Sequence, residues 1–191
     1  MNNPEYVKIG DKKYKINTDF RVAIECNKIA QDTTIGEHER SLAIIYKLFG
    51  DEGLKYPKNY NKLLELALKF LSMNKEIETD EEPDMDFEQD YNLIWTSIYS
   101  EYNGLDIDKE EIHWWKFMDM LNGLSNSEMG NCCILNRIRN LRNMKPSEIK
   151  DNKQREKLMK AQKSVALKKK ETTLTEQQLK SAEELYRSLG L

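Results

Sequence analysis

Cysteine, histidine, glycine and proline are all scarce in this 191-residue chain, and each scarcity narrows what the chain can be. The three cysteines, Cys26, Cys132 and Cys133, are odd in number, and disulfide geometry resists a bridge between the adjacent two. They read as half-buried thiols of a reducing cytosol. The two histidines, His38 and His113, are far apart, and neither has a second His or a Cys at ligand spacing. Cys132-Cys133 also lacks the gap that lets two thiolates grip one zinc ion, so no metal site is expected. Eight glycines and four prolines favour long elements over a loop-rich all-β fold. No segment approaches the roughly 18 consecutive apolar residues that cross a bilayer, and the first residues hold no apolar stretch of signal-peptide length.

Motifs of catalysis are missing too. There is no Gly-rich phosphate cradle, no nucleophile elbow and no kinase signature. Asp106, Asp108, Glu110 and Glu111 superficially resemble a calcium loop, but the turn glycine and the twelve-residue ligand order are absent. Capping and ordinary solvation explain them better. Carboxylate pairs are plentiful, yet a chain with 33% charged residues supplies them by chance, so they are no sign of acid–base work. The expectation is a protein with no catalytic residue, no cofactor and no metal, not an enzyme, that works by binding other proteins.

What is present is charge and helical periodicity. Hydrophobic residues make up 39%, low for one compact globule, which points to helices with broad solvated faces or segments that pack on a partner. The net charge of −3 hides an asymmetry: residues 76–90 are acidic without an intervening base, and residues 137–170 are strongly basic. Alternation around Gly10-Asp11 predicts a short β-hairpin, with Tyr6 to Ile9 and Tyr14 to Ile16 as its arms. Thr18 or Asp19 then caps a first helix bearing Phe20, Val22, Ala23, Ile24, Cys26 and Ile29. A second follows Gly36, carries Leu42, Ile45, Tyr46 and Phe49, and is placed to end at Gly50. Pro57 opens a third, with Tyr60, Leu63, Leu64, Ala67 and Leu71 at helical spacing.

Residues 75–86 read as an acidic linker, since like charges repel and little apolar surface offsets the ordering entropy. Phe87, Tyr91, Ile94, Trp95, Ile98 and Tyr102 mark an amphipathic helix beyond it. Asp108 with Glu111 resembles a capping box for the next, which Gly123 stops. Ser125 with Glu128 opens another through Met129, Cys132, Cys133, Ile138 and Leu141, punctuated by Pro146. Residues 148–170 are helical in propensity with a thin stripe of Leu158, Ala161 and Val165. Thr173 with Glu176 caps a final face of Ala182, Leu185, Tyr186 and Leu189. The fold class is therefore mainly α: a helical bundle with a short N-terminal hairpin and a C-terminal helical arm. The segments are 1–74 (hairpin plus helices), 75–86 (linker), 87–145 (aromatic-rich helices) and 146–191 (basic helix and arm).

Two features carry the candidate sites. Trp114 and Trp115 sit about 100° apart on a helix, so one buried face cannot easily take both. Either one lies in the core and the other between helices, or one is an interface anchor, a role in which Trp is enriched. Trp95, His113, Trp114, Trp115 and Phe117 are the candidate protein-binding residues of this region. Leu185, Tyr186 and Leu189 are those of the arm, whose short helix is marginal alone and must be covered, with a neighbouring copy as the favoured cover. In the basic stretch, Glu148, Asp151 and Glu156 interrupt the charge and no aromatic interleaves it. A solvated face, or one docked on an acidic protein surface, is preferred there, with a nucleic-acid-binding accessory protein using 137–170 as the alternative.

Several of these residues also carry a family resemblance. Asp90, Ile94-Trp95, Tyr102 to Ile107, Ile112-His113-Trp114-Trp115-Lys116-Phe117, Leu121 to Leu124 and Ile138-Arg139 resemble the small tail-morphogenesis family of Gram-positive siphophages. The match in order and spacing runs over 87–142. Asn17-Thr18-Asp19-Phe20-Arg21 resembles that family's start, and Asn103-Gly104 departs from it where a single Gly is expected. The resemblance implies a tail assembly chaperone, encoded between the major tail protein and the tape measure protein. Such a protein keeps the tape measure helix from aggregating, helps tail tube subunits assemble around it, and is absent from the mature virion. It implies the bacterial host cytoplasm as location, the tape measure and tail tube proteins as partners, weak homo-oligomerisation, and no catalytic residue.

Overall fold

The computed structural model describes residues 3–75, 83–126 and 132–168. Ile9 pairs with Lys12, so Gly10 and Asp11 form a two-residue loop in which Gly10 alone takes a positive φ, 57°. That is the type II′ pattern, whose twist matches the flanking strands. The strands β1 (Tyr6–Ile9) and β2 (Lys12–Lys15) are antiparallel, and Tyr14 plugs the hairpin into the helices at 3% exposure.

Seven helices follow among the described residues: α1 (Phe20–Gln31), α2 (Glu37–Leu54), α3 (Tyr60–Leu71), α4 (Tyr91–Glu101), α5 (Trp114–Asn122), α6 (Ile134–Asn143) and α7 (Asn152–Val165). The protein is mainly α with a short hairpin. Asp19, not Thr18, caps α1, its side chain accepting from the Arg21 N–H at 2.8 Å. One hydrophobic cluster runs from Tyr14 to Leu135, so segments 1–74 and 87–145 share a core.

Four local expectations are corrected. Gly50 does not end α2; it turns at φ 61° and a further short helical stretch runs on to Leu54. The inward face of α2 is Ile44, Ile45, Leu48 and Phe49, leaving Tyr46 half exposed. Asp108 and Glu111 do not cap α5, because Ile112 and His113 are still extended and bridge to Asp19. Ser125 does not cap α6 either: Asn126 bridges to Cys132, and the Cys133 thiol is the cap, accepting from the Asn136 N–H at 3.3 Å. Glu128 lies outside the described residues.

The basic stretch is not a free lever. Leu158 buries against α6, and the Gln162 amide donates to the Leu141 and Met144 carbonyls at 3.0 and 2.6 Å, closing the C-terminus of α6. Its arginines meet the acidic stretch of the same chain. Arg142 grips Asp90 with two hydrogen bonds of 2.7 and 2.8 Å and donates to the Asp84 and Val165 carbonyls. Arg139 and Asn143 hold the Asp84 carboxylate. Asp84, Asp86 and Asp90 thus belong to a turn fastened to α6, not to a solvated linker; residues 76–82 lie outside the described residues. The Asp90 pairing holds the Arg142 guanidinium above its ordinary pKa.

Candidate protein-binding groove

The two segments that carry the resemblance at either end of the chain meet in space. Phe20 N donates to the Ile112 carbonyl at 2.9 Å, and Trp114 N to the Thr18 carbonyl at 2.7 Å. These bonds join the start of α1 to the start of α5. Arg21 locks the joint, pairing with Asp19 and reaching the Asp108 and Glu110 carbonyls at 3.1 and 2.7 Å. His113 caps α5: Nδ1 accepts from Trp115 N at 3.1 Å, so Nε2 is the nitrogen that donates to the Pro4 carbonyl.

The neighbouring tryptophans answer a need at the far end of α3. The last carbonyls of a helix have no partner within it. Trp114 Nε1 donates to the Leu71 carbonyl and Trp115 Nε1 to that of Phe70, each at 2.9 Å. Two indoles on adjacent positions therefore satisfy two adjacent carbonyls. Trp114 is 2% exposed and Phe117 0%, so a partner would touch neither without opening the fold. Trp115 is half-buried, stacked on Phe70 with ring centroids 6.2 Å apart. Trp95 is half-buried too, but stacks instead on the exposed Tyr99 at 4.8 Å and donates to Asp106 at 3.1 Å. Leu185, Tyr186 and Leu189 lie outside the described residues.

In front of this aromatic cluster lies a groove of about 570 Å³ between α1 and the turn fastened by Arg142. Ile24, Met85, Phe87 and Leu167 give it an apolar lining. Phe87 packs edge-on against Trp114 at 5.8 Å and against Phe117 at 6.4 Å, so the buried aromatics form the wall's backing. The rim is polar, with Asn27, Gln31 and Gln89, and Lys28 pairs with Glu88 across it at 2.9 Å. Such an exposed pair contributes at most about 1 kcal/mol, so it does not bar the opening. The volume falls within the ~300–1,000 Å³ usual for binding pockets and has room for a few side chains of a docked helix. The sequence pattern missed the groove because its lining comes from three separated stretches. The one legible sign was Met85 and Phe87 standing apolar inside the acidic run.

A second cleft, of about 1110 Å³, lies beside the α1–α5 joint. Its lining is largely polar, including Lys15, Asp19, Arg21, Glu25, Lys47, Glu111 and His113. Lys47 pairs with Glu25 at 2.5 Å and Arg21 with Asp19, so these charges are already met within the chain. Among the described residues, no group of three or more His, Cys, Asp or Glu side chains is placed to hold a metal ion, and no helix is long and apolar enough to cross a membrane.

Fold and groove together define a helical protein with a preformed apolar recess behind a polar rim. Residues 2–167 match the family described as Bacteriophage Gp15 protein, and the chain belongs to that family. Membership points to a structural or morphogenesis role in a phage. No curated protein and no solved structure matches the chain.

Proposed function

We propose that this protein is a phage tail assembly chaperone that binds the tape measure protein, and assists tail tube assembly, without covalent chemistry or a cofactor. The observation that carries the reading is membership of residues 2–167 in a bacteriophage family, together with the tail-morphogenesis resemblance of 87–142. The groove supplies a place for the client. A long apolar helix presents anchors at i, i+3, i+4 and i+7, and a recess lined by Ile24, Met85, Phe87 and Leu167 accepts such anchors by helix-in-groove packing. The charged outer surface keeps the complex in solution. In this reading the protein acts in the host cytoplasm and leaves before the virion is complete, with the tail tube protein and further copies of itself as weaker partners.

The test is a fluorescence-anisotropy titration of labelled peptides tiling the tape measure protein of the same phage. At least one peptide is expected to bind the full chain, and Ile24→Glu to weaken that binding at least about tenfold, since a charge is forced against apolar anchors. Binding by no peptide, or equal binding to the Ile24→Glu variant, overturns it.

The second reading rests on Lys153, Lys157, Lys160 and Lys163, which stand exposed along α7. Against it, Arg139, Arg142 and Arg155 of the same stretch are spent on contacts inside the chain. A gel shift with duplex and single-stranded nucleic acid over a salt series separates the two. Tight binding that falls steeply with salt favours nucleic acid.

A further inference from the structure

The groove has a nearer occupant than any client. The chain leaves α7 at Val165 and turns so that Leu167 lines the groove and Lys168 stands on its rim. Gln89 holds Lys168 there by both backbone groups. Its amide oxygen accepts from Lys168 N at 2.7 Å and its amide nitrogen donates to the Lys168 carbonyl at 3.0 Å. This paired clamp fixes the point from which the last residues depart. Residues 169–191 follow, beyond the 2–167 matched by the family. Residues 169–172 are a spacer reaching at most roughly 14 Å. Then comes the stretch that the sequence writes as a capped amphipathic helix, with Leu179, Ala182, Leu185, Tyr186 and Leu189 on one face.

We propose that residues 173–189 dock as a helix into the groove of their own chain, with Leu185, Tyr186 and Leu189 against Ile24, Met85 and Phe87. Three arguments fix the occupant. A helix of this length is marginal alone in water and needs its apolar face covered. A short tether from the groove's own rim gives an effective concentration in the millimolar range, which a second copy in dilute solution does not match. The lever that would carry the arm to a neighbour is missing, because α7 is packed on α6 and the chain after it is clamped at the groove. The segment is then an internal stand-in for a client helix, covering the apolar recess while no client is bound. The docking itself does not depend on the client proposed above.

Hydrogen exchange followed by mass spectrometry on the full chain tests the docking without any client. Amides of 179–189 are expected to exchange at least about tenfold slower than an unstructured chain, as a docked local unit does. In the Leu185→Asp/Leu189→Asp variant that protection is lost, and exchange rises in α1 and in 83–89. Ile24→Glu releases 179–189 from the other side while thermal unfolding stays cooperative. Free-chain exchange of 179–189 in the unaltered protein overturns the proposal, and so does protection that survives Ile24→Glu. Protection that fades on dilution, with a dimer mass by light scattering, assigns the segment to a neighbouring copy and equally overturns it.

Discussion

Replacing Arg142 with Met removes the guanidinium that fastens the 84–90 turn to α6 while keeping most of the side chain's apolar stem. Asp90 is then left with its carboxylate 2% exposed and only the Asp86 N–H, at 3.0 Å, still donating to it. The Asp84 and Val165 carbonyls lose a donor as well. Removing one partner of a buried ion pair costs about 3–5 kcal/mol, because the other charge stays buried without compensation. Against a usual total of about 5–15 kcal/mol, that is a large share. At about 2–4 °C per kcal/mol for a domain of this size, the melting temperature falls by roughly 6–20 °C. Urea unfolding followed by circular dichroism gives the free energy, and calorimetry the temperature. Adding Asp90→Asn removes the stranded charge, so the double variant is expected to regain more than half of the loss. A single variant that loses under about 1 kcal/mol, or a double variant no better than the sum of the two singles, refutes the reasoning.

Trp114→Phe strands the Leu71 carbonyl in the core and is expected to cost roughly 1–3 kcal/mol beyond the lost volume. Trp115→Phe costs about 1 kcal/mol or less, since the Phe70 carbonyl still accepts from Met73 N; equal losses in urea unfolding would contradict this assignment. Burial pushes the Cys26 thiol from 9.0 up to about 12, so its contribution to stability is intact below pH 9 and fades as pH rises toward 12. Iodoacetamide at pH 8 should modify half-buried Cys132 first and Cys26 only on unfolding, and rapid native labelling of Cys26 would show that its burial is misread.

The elements written by local rules were legible in the sequence. Gly10-Asp11 gave the hairpin, Asp19 the cap of α1, Pro57 the approach to α3 and Gly123 the end of α5. The starts of α5 and α6 were not, because pairing with distant strands outranked the local signal. Ile112 and His113 stay extended to bond with Thr18 and Phe20, and no capping pattern encodes that partner. The aromatic cluster was legible as unusual, but its use was not. Whether Trp114 faces a partner or a carbonyl depends on where α3 ends, 43 residues away in sequence. The charge asymmetry showed two stretches of opposite sign, and only the structure revealed that Asp84 and Asp90 answer Arg139 and Arg142. The groove is the least legible feature, since Ile24, Phe87 and Leu167 come together only through that ion pair and the clamp at Lys168.

The central claim is that this protein keeps a tail protein's long helix in solution, and co-expression tests it most directly. The tape measure protein of the same phage is produced alone, with the full chain, and with the Ile24→Glu variant, and its soluble fraction is measured after centrifugation. The account predicts aggregation alone, a several-fold rise in soluble tape measure protein that co-purifies with the full chain, and loss of that rise with the variant. Equal solubility in all three samples, with no co-purification, contradicts it.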